Sequence, residues 1–332
     1  MNYVGRNSIF LIDALLHGHV LVLTRASIYR RHEQLLAPRL AQVQTTFYTE
    51  INPNPSREEV QAAQDVLQGQ VFDVIVAIGG GSVIDFAKAF RHYAGRQCPL
   101  LAVPTTAGTG SEATQFAVIY IDGVKTSLDA PELLPEVAIV DSVFVEHAPQ
   151  YLKACCAMDA YCQAIESYWA KGATEESRAY ALEAVELCSK HLVAAVNSAD
   201  PQENEYMAKA AYLAGRAINI SRTTAAHALS YKMTSAYDVP HGHAVALSIS
   251  GLFRVNLPAI PDLPRLLAAM GIAEEEIAPY FARLMKEVHL ETDFAKLGIH
   301  DLEEIADSVN AQRLGNNPKP LSREDLLRVL TA

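Results

Sequence analysis

Cysteine is scarce in this sequence and forms no redox or metal motif. The 332 residues include five cysteines, an odd number, and no two of them are spaced as C-x-x-C. A disulfide framework is therefore not expected, because such frameworks use even sets of cysteines in oxidising compartments. The thiol count favours a reducing, cytoplasmic setting.

Long apolar runs and a basic charge balance are also missing. No window approaches the roughly 18 consecutive apolar residues that read as a membrane span, and the first residues lack the pattern of a secretory signal. The formal net charge is −11, so the chain lacks the basic character that nonspecific nucleic-acid binding needs. The sequence predicts neither a membrane nor a nucleic-acid partner, whereas small anionic ligands stay possible.

What the chain does contain is an alternation of strand and helix patterns over its first 149 residues. Short apolar runs typical of buried parallel strands alternate with helical patterns, one of which is capped by Ser56 with Glu59 at the capping-box position. The predicted strands are His19–Thr24, 45–51, 72–79, 99–106 and 136–141. This alternation predicts an α/β fold with a doubly wound parallel sheet.

The pattern changes near residue 150. From Tyr151 onward the sequence is rich in alanine and leucine at helical spacing, with almost no strand signal. We therefore expect an α/β domain over residues 1–149 and an all-α domain over residues 150–332.

Two loops of the first domain are suited to a nucleotide. Gly79, Gly80, Gly81 and Ser82 lie between a strand and a helix, where glycines permit close approach and the helix start offers free N–H groups to a pyrophosphate. The stretch PTTAGTGSEAT, which contains Thr105, Thr106, Thr109 and Ser111, follows the next strand and offers hydroxyls to a ribose or carboxamide. The alternatives are a plain strand–helix turn and an ordinary surface loop.

The second domain carries a carboxylate and three closely spaced histidines. Asp159, Gln163 and Glu166 share one face of a predicted helix. His227 is on a later helix, and His241 lies in the Pro-His-Gly turn after it. Two imidazoles and one carboxylate suit a catalytic metal site with an open position, although each alone has an ordinary structural explanation.

Four motifs in this order resemble those of the iron-containing (group III) alcohol dehydrogenases: GGGSVIDFAK, PTTAGTGSEAT, MDAYCQAIESY and VPHGHAVAL. The resemblance runs from Tyr3 to Leu326. It implies a dinucleotide-binding domain, a helical domain with the active site in the cleft between them, and reversible interconversion of an aldehyde and an alcohol. It also implies NAD(P)H, a divalent metal (Fe²⁺ or Zn²⁺) and a homodimer or larger assembly.

The resemblance assigns the metal ligands by motif. Asp159, His227 and His241 match the carboxylate ligand and two histidine ligands of the family. The usual fourth ligand is a histidine, and its place is held by Gln163. Three interpretations stay open: Gln163 binds weakly, water completes the site, or zinc replaces iron. Tyr231 stands where many members carry another histidine, and its phenol is a candidate proton donor.

The resemblance also assigns the cofactor contacts. The cofactor-binding residues that it implies are Gly79, Gly80, Gly81, Ser82, Asp85, Thr105, Thr106, Thr109, Ser111 and Arg25. Members selective for NAD often carry an aspartate in the place of the Thr24-Arg25-Ala26 segment. Arg25 therefore predicts that NADPH is used at least as well as NADH, because a guanidinium can bind a 2′-phosphate. The alternative is an exposed loop arginine.

Within the family, the motifs are most similar to those of phosphonoacetaldehyde reductases of phosphonate biosynthesis, which implies 2-hydroxyethylphosphonate as the product. Arg222, Lys232 and His243 are predicted to supply charge to the phosphonate, with hydroxyls from Thr223 and Thr224. The alternative substrate is a neutral short aldehyde or polyol such as lactaldehyde, glyceraldehyde or glycerol.

Two further functions are weighed. A dehydroquinate-synthase-like cyclase, which is a lyase, more often carries GGG-x-x-G-D, and here Ile84 replaces the last glycine of that pattern. A non-catalytic dinucleotide sensor has Gln163 as its only support.

Overall fold

The computed structural model describes residues 2–309 and 314–331. These residues divide into two units, the first ending at His147 and the second beginning at Ala148. The fold is an N-terminal α/β unit with a six-stranded parallel sheet, followed by an all-helical unit, so the predicted fold class is confirmed.

A parallel sheet forms the centre of the first unit. The strands described there are β1 (Asn2–Val4), β2 (His19–Thr24), β3 (Gln44–Tyr48), β4 (Val74–Gly79), β5 (Leu100–Pro104), β6 (Phe116–Ile121), β7 (Val124–Asp129) and β8 (Val137–Val140). The sheet order is β1-β8-β5-β4-β2-β3, and every pairing in it is parallel. All five predicted strands are present, with boundaries that differ by a few residues.

Helices cover both faces of this sheet. They are α1 (Ala26–Leu40), α2 (Arg57–Val66) and α3 (Gly81–Tyr93). Alternation along β2 sends Leu21 and Leu23 to the core that contains α2 and α3, and Val20 and Val22 to the core that contains α1. The predicted capping box at the start of α2 is confirmed, because Ser56 and Glu59 each accept a backbone N–H of the other.

Three strands were not predicted: the short β1, and the two strands of a hairpin. Strand β1 has only three residues, which is too short for a periodic signal. Strands β6 and β7 form an antiparallel hairpin whose two-residue turn is Asp122-Gly123, with φ of 51° and 75°. Asp-Gly between alternating apolar residues is a strong hairpin signal, so the sequence contained the information for this element.

The second unit is helical throughout its described residues. Its α-helices are α4 (Gln150–Trp169), α5 (Glu175–Asn197), α6 (Pro201–Ser221), α7 (Ala225–Tyr237), α8 (His241–Asn256), α9 (Leu263–Met270), α10 (Ile277–Glu287), α11 (Leu302–Asp307) and α12 (Arg323–Leu330). Helix α4 is buried from Ala157 to its end at Trp169, so its polar residues must find partners inside the unit. No helix in the described part of the chain is long and apolar enough to cross a membrane.

Candidate active site

Three side chains from three helices converge in the helical unit. Asp159 lies in the middle of α4, His227 is the third residue of α7, and His241 is the first residue of α8. Their ligand atoms all lie within 4.8 Å of one another. Asp159 Oδ1 is 3.3 Å from His227 Nε2 and 3.9 Å from His241 Nε2. The predicted ligands therefore meet, and His241 opens a helix instead of lying in a loop.

Hydrogen bonds on the far side of each ring orient both histidines. His227 donates from Nδ1 to a Glu166 carboxylate oxygen. His241 Nδ1 is 3.2 Å from Ser230 Oγ, and the single Ser230 hydroxyl proton is donated to the His227 carbonyl over 2.8 Å. His241 must therefore be the donor to Ser230. Both rings therefore present Nε2 to Asp159. Metal-binding imidazoles are commonly oriented in this way, with one ring nitrogen held by a hydrogen bond and the other left for the metal.

Glu166 is a functional residue to which the sequence analysis gave no role. It is fully buried on α4 and also accepts hydrogen bonds from Thr224 N (3.1 Å), Thr224 Oγ1 (2.6 Å) and Ala226 N (2.9 Å). These donors lie at the start of α7, where unpaired N–H groups and the helix dipole favour a carboxylate. The seven-residue spacing from Asp159 placed both acids on one face, and this was the available signal.

The electrostatics of the cluster require a positive charge. Burial opposes ionisation of both Asp159 and His227, but mutual attraction outweighs it. His241 and His227 lower the pKa of the Asp159 carboxyl. The Glu166 and Asp159 carboxylates raise the pKa of His227 to about 9. A metal ion would take the place of the proton on His227. Two carboxylates with two neutral imidazoles would then sum to −2, a charge that one divalent cation balances.

Unpaired acceptor atoms show that the residues present fit a metal ion. Within the described residues, Asp159 Oδ1, Gln163 Oε1 and His227 Nε2 are buried side-chain atoms without a hydrogen-bond partner. Such atoms are costly to bury unless something binds them. Carboxylate oxygen, amide oxygen and imidazole nitrogen are all ligands of divalent metals. Gln163 lies one turn after Asp159 on α4, and a hydrogen bond from its side chain helps to lower the pKa of the Asp159 carboxyl.

Tyr231, the predicted proton donor, lies beside the cluster of Asp159, His227 and His241. Its ring centroid is 6.4 Å from that of His241. Lys232 instead makes a 2.7 Å ion pair with Glu304 of α11, so its charge is already balanced and the prediction that it binds a phosphonate is not supported.

His243 corrects a second expectation. Its ring is 1% exposed, with Nε2 at 2.7 Å from the Glu291 carbonyl oxygen and Nδ1 at 3.1 Å from the Tyr151 hydroxyl. Both ring nitrogens are engaged within the protein, so we withdraw its assignment to substrate. The Thr224 hydroxyl is likewise used, since it donates to Glu166 and accepts from Trp169 Nε1.

Arg222 occupies an unusual backbone conformation between α6 and α7. Its φ is 64° and its ψ is 171°, a region that is essentially restricted to glycine. Its N–H donates to the Ile218 carbonyl oxygen over 2.9 Å, and its own carbonyl accepts from Ser221 Oγ over 2.9 Å. The side chain donates to the Asn219 carbonyl oxygen.

In the α/β unit, the two predicted nucleotide loops lie against each other. Thr105 N donates to the Gly79 carbonyl oxygen over 3.0 Å. A Cβ on Gly80 would lie 3.1 Å from Thr106 Oγ1, and a Cβ on Gly81 would lie 2.7 Å from Thr109 Oγ1. A side chain at Gly80 or Gly81 would therefore force the facing threonine side chain to move, so the close packing of the two loops by itself favours glycine at both positions.

Arg25 lies at the same edge of the sheet. Strands β2 and β4 pair with Thr24 opposite Ile78, so Arg25 and the glycine turn leave the sheet at its carboxyl edge, where α/β sheets bind ligands. The Arg25 carbonyl oxygen accepts from Ile28 N and Tyr29 N at the start of α1, but its guanidinium makes no hydrogen bond or ion pair within the described residues.

Asp85 and Ser111 hold these loops in place. Ser111 Oγ donates to Asp85 Oδ1, and the other Asp85 oxygen accepts from Val118 N over 3.0 Å. Ser82 Oγ accepts from Asn54 N over 3.3 Å. These side chains serve contacts within the unit, and their direct contact with a cofactor stays a prediction.

Buried charge beneath the loops was not predicted. Lys88 is fully buried and donates from Nζ to the carbonyl oxygens of Thr114 and Phe116, each over 2.8 Å. Burial lowers the pKa of Lys88 to about 8 and raises the pKa of the nearby Glu112 to about 7. Lys88 ends the motif GGGSVIDFAK and Glu112 lies in the motif PTTAGTGSEAT, but burial of charge leaves no periodic signal.

Comparison with known proteins agrees with this geometry. The family model described as iron-containing alcohol dehydrogenase matches residues 2–142, and the model described as Fe-containing alcohol dehydrogenase family, C-terminal, matches residues 153–332. The NAD-dependent methanol dehydrogenase of Bacillus methanolicus is 30% identical over 327 residues, covering 88% of this chain and 85% of that protein.

Two further relatives act on two-carbon aldehydes that carry an acidic group. The phosphonoacetaldehyde reductase of Streptomyces viridochromogenes is 31% identical over 299 residues, covering 78% of this chain and 75% of that protein. The solved structure of sulfoacetaldehyde reductase from Bifidobacterium kashiwanohense in complex with NAD⁺ has a TM-score of 0.91 at 27% identity, covering 100% of this chain and 96% of that one. The chain belongs to the iron-containing alcohol dehydrogenase family and is an NAD(P)-dependent oxidoreductase with a divalent-metal site at Asp159, His227 and His241.

Proposed function

We propose that this protein reduces a small aldehyde to a primary alcohol, with NADPH as the hydride donor. The observation that carries the proposal is the meeting of Asp159, His227 and His241. Buried ligand atoms of Asp159, Gln163 and His227 also lack a hydrogen-bond partner among the described residues. A buried polar atom without a partner costs about 1–3 kcal/mol. A cation bound at these atoms offsets that cost.

The reaction adds a hydride to the carbonyl carbon and a proton to the carbonyl oxygen, and it oxidises NADPH to NADP⁺. A divalent ion held by these residues would supply the Lewis acidity that polarises the carbonyl. Glu166 and Ser230 keep the Nε2 atoms of His227 and His241 turned towards the cluster. Tyr231, beside His241, is the proposed proton donor.

Gln163 is the proposed fourth ligand, through Oε1. Its side chain is buried and its amide oxygen is unpaired within the described chain. It is one turn from Asp159 on α4. An amide oxygen is a harder and weaker donor than imidazole, and a set of two oxygens and two nitrogens accepts zinc as well as iron.

Arg25 is the proposed determinant of NADPH use. Its guanidinium has no partner in the described chain, it follows β2 directly, and it leaves the sheet beside the glycine turn. A fixed cation there would pair with the 2′-phosphate that distinguishes NADPH from NADH.

We infer that the substrate is a two-carbon aldehyde with a tetrahedral anionic group, and phosphonoacetaldehyde is the first candidate. Two relatives with such substrates support this, as does the strained backbone of Arg222. That conformation costs a non-glycine residue about 1–3 kcal/mol, and such strain clusters at functional sites. Lys232 and His243 are engaged in contacts within the protein. The proposal for the anion therefore rests on Arg222, whose guanidinium also donates to the Asn219 carbonyl oxygen.

A neutral short aldehyde is the second candidate. The methanol dehydrogenase relative acts on an uncharged substrate, and the ion pair of Lys232 with Glu304 reduces the positive charge available to an anion.

The test is substitution of Arg222 by glycine. Glycine relieves the backbone strain, so the midpoint of thermal unfolding should rise by about 2–4 °C per kcal/mol relieved. The preference in kcat/KM for phosphonoacetaldehyde over propionaldehyde, assayed with NADPH, should fall about tenfold, as expected for loss of roughly 1.4 kcal/mol of charged contact. If Arg222→Gly is both more stable and less selective for phosphonoacetaldehyde, the backbone strain at Arg222 serves binding of the anionic substrate.

Asp238→Gly is the matched control. Asp238 ends α7 with a φ of 54°, so glycine relieves strain there without removing the arginine. Its stability should rise while the substrate preference is unchanged. If Arg222→Gly keeps the wild-type preference, or if the wild type prefers neutral aldehydes, the anionic substrate is wrong although the reductase activity stands. Absence of turnover with every aldehyde would overturn the proposed function itself.

A further inference from the structure

The first turn of α8 approaches α4 more closely than any residue with a side chain would allow. A Cβ on Gly242 would overlap the Cys155 carbonyl oxygen and lie 2.8 Å from Asp159 Cβ. Gly242 is an ordinary helical residue without a positive φ. Space is therefore the reason for glycine here, and not backbone freedom.

This close contact between α8 and α4 sets the distance between two of the metal ligands. Gly242 follows His241 in α8, and the atoms that it touches belong to Asp159 and to the residue one turn before it in α4. The spacing of α8 from α4 at Gly242 therefore fixes how far His241 stands from Asp159.

His243 fixes the same turn from its other side. Its Nε2–H donates to the Glu291 carbonyl oxygen over 2.7 Å, which leaves Nδ1 to accept from the Tyr151 hydroxyl at 3.1 Å. Tyr151 lies one turn before Cys155 on α4. The turn is thus held by a backbone contact at Gly242 and by two hydrogen bonds at His243.

The size of the effect follows from the geometry. A methyl group facing a backbone carbonyl cannot be accommodated by a rotamer change, so the helices must separate by on the order of 1 Å. Metal–ligand distances tolerate only about ±0.2 Å. One added methyl group therefore exceeds what the site can absorb without losing a ligand.

We propose that Gly242 is a positioning residue that sets the distance between Asp159 and His241, and that His243 is a second positioning residue for the same turn. The proposal rests on the metal site described above and assigns the two residues after His241 to its assembly.

The test measures Co²⁺ binding to metal-free protein, by chelator competition and by the visible absorption of the bound ion, which reports ligand geometry. Gly242→Ala should weaken Co²⁺ binding by about 10–100-fold, as is typical of changes that misplace metal ligands, and should alter the absorption bands. Gly251→Ala is the control, because Gly251 lies in the same helix α8 and a Cβ there would overlap the carbonyl oxygen of Val329 in α12. It should lower the unfolding midpoint comparably and bind Co²⁺ like the wild type.

Equal loss of Co²⁺ affinity in Gly251→Ala and Gly242→Ala would overturn the proposal, since strain anywhere in α8 would then suffice. Unchanged affinity and absorption in Gly242→Ala would also overturn it.

Tyr151→Phe extends the test to a variant that removes only a half-exposed hydroxyl. It should shift the Co²⁺ absorption and weaken binding by less than tenfold, and an unaltered spectrum would refute the part assigned to His243. A wild-type protein that does not bind Co²⁺ would overturn the metal site itself, which separates that failure from failure of the positioning role.

Discussion

Replacing Glu166 by glutamine should uncouple His227 from the metal site with little change in shape. In the wild type, one Glu166 oxygen accepts from Thr224 N, Thr224 Oγ1 and Ala226 N, and the other accepts from His227 Nδ1. A glutamine amide has one acceptor oxygen and one donor group. If its oxygen keeps the three donors at the start of α7, its NH₂ must face His227 Nδ1.

The consequence concerns the tautomer of His227. Facing an NH₂ donor, Nδ1 must act as an acceptor, and the proton of the neutral ring then resides on Nε2, the atom that should bind the metal. For His227 Nε2 to bind the metal, the ring proton must move to Nδ1, where it would face the amide NH₂ of the variant. The alternative is to reverse the amide, which would turn its NH₂ towards the three donors of Thr224 and Ala226. An unsatisfied buried donor costs about 1–3 kcal/mol. Because 1.4 kcal/mol corresponds to tenfold in affinity, metal binding should weaken by roughly 5–150-fold.

The assay is the dissociation constant of Zn²⁺, measured by competition with a chelator at neutral pH. Glu146→Gln is the control, because Glu146 is a buried carboxylate of the other unit that pairs with Arg6 and accepts from Ser142 Oγ. It should lose stability but keep the wild-type Zn²⁺ affinity. Wild-type affinity in Glu166→Gln would refute the reasoning, as would equal loss in the control.

Three further outcomes are expected. Arg25→Asp should shift the ratio of kcat/KM values towards NADH, because an acidic residue repels the 2′-phosphate, and a wild type that strongly prefers NADH would contradict this. Gln163→His should tighten Zn²⁺ binding by about tenfold or more, because imidazole is the stronger ligand; no change would place Gln163 outside the ligand set. Burial raises the pKa of Glu112 from 4.5 to about 7, so its contribution to stability is present below pH 4.5 and is lost as the pH rises through 7. Glu112→Gln should therefore raise the unfolding midpoint by a few degrees at pH 8 and hardly at pH 5, and an equal shift at both values would contradict a raised pKa.

Strands with a continuous apolar pattern were predictable, because burial on both faces of a parallel sheet leaves a run of valine, isoleucine and leucine. The metal ligands were predictable by resemblance, and the structure brings Asp159, His227 and His241 together. Each strand and each ligand motif is recognised from its own short stretch of sequence.

The two substrate assignments that the structure does not support, Lys232 and His243, share a geometric cause. His243 was placed near the substrate because it follows His241 closely in sequence. Both residues lie in α8, where two positions correspond to about 200° of rotation, so their side chains point in different directions. Lys232 follows Tyr231 by one position, or about 100°, and meets Glu304 of α11 instead. Proximity in sequence was treated as proximity in space before the helix boundaries were known.

The supporting contacts could not be predicted for a different reason. Glu166 acts because α7 begins at Ala225 and presents free N–H groups to it, whereas the sequence suggested helix through much of 222–247. Gly242 acts through packing against a carbonyl of another helix. Neither contact follows from a local pattern, since each depends on where two distant segments meet.

Charge explains why the site tolerates one departure from the family pattern and should not tolerate others. Asp159 and Glu166 supply two negative charges that a divalent ion balances, and the imidazoles are neutral when they bind it. On the proposed ligand set, glutamine in the place of the usual histidine exchanges one neutral donor for another, so Gln163 would change the strength of a ligand and leave the charge balance intact. Loss of either carboxylate leaves the bound ion with an uncompensated charge in a buried site, which is costly in a low-dielectric interior. The electrostatic requirement therefore falls on Asp159 and Glu166, and we expect the fourth ligand to set how tightly, and which, divalent metal binds.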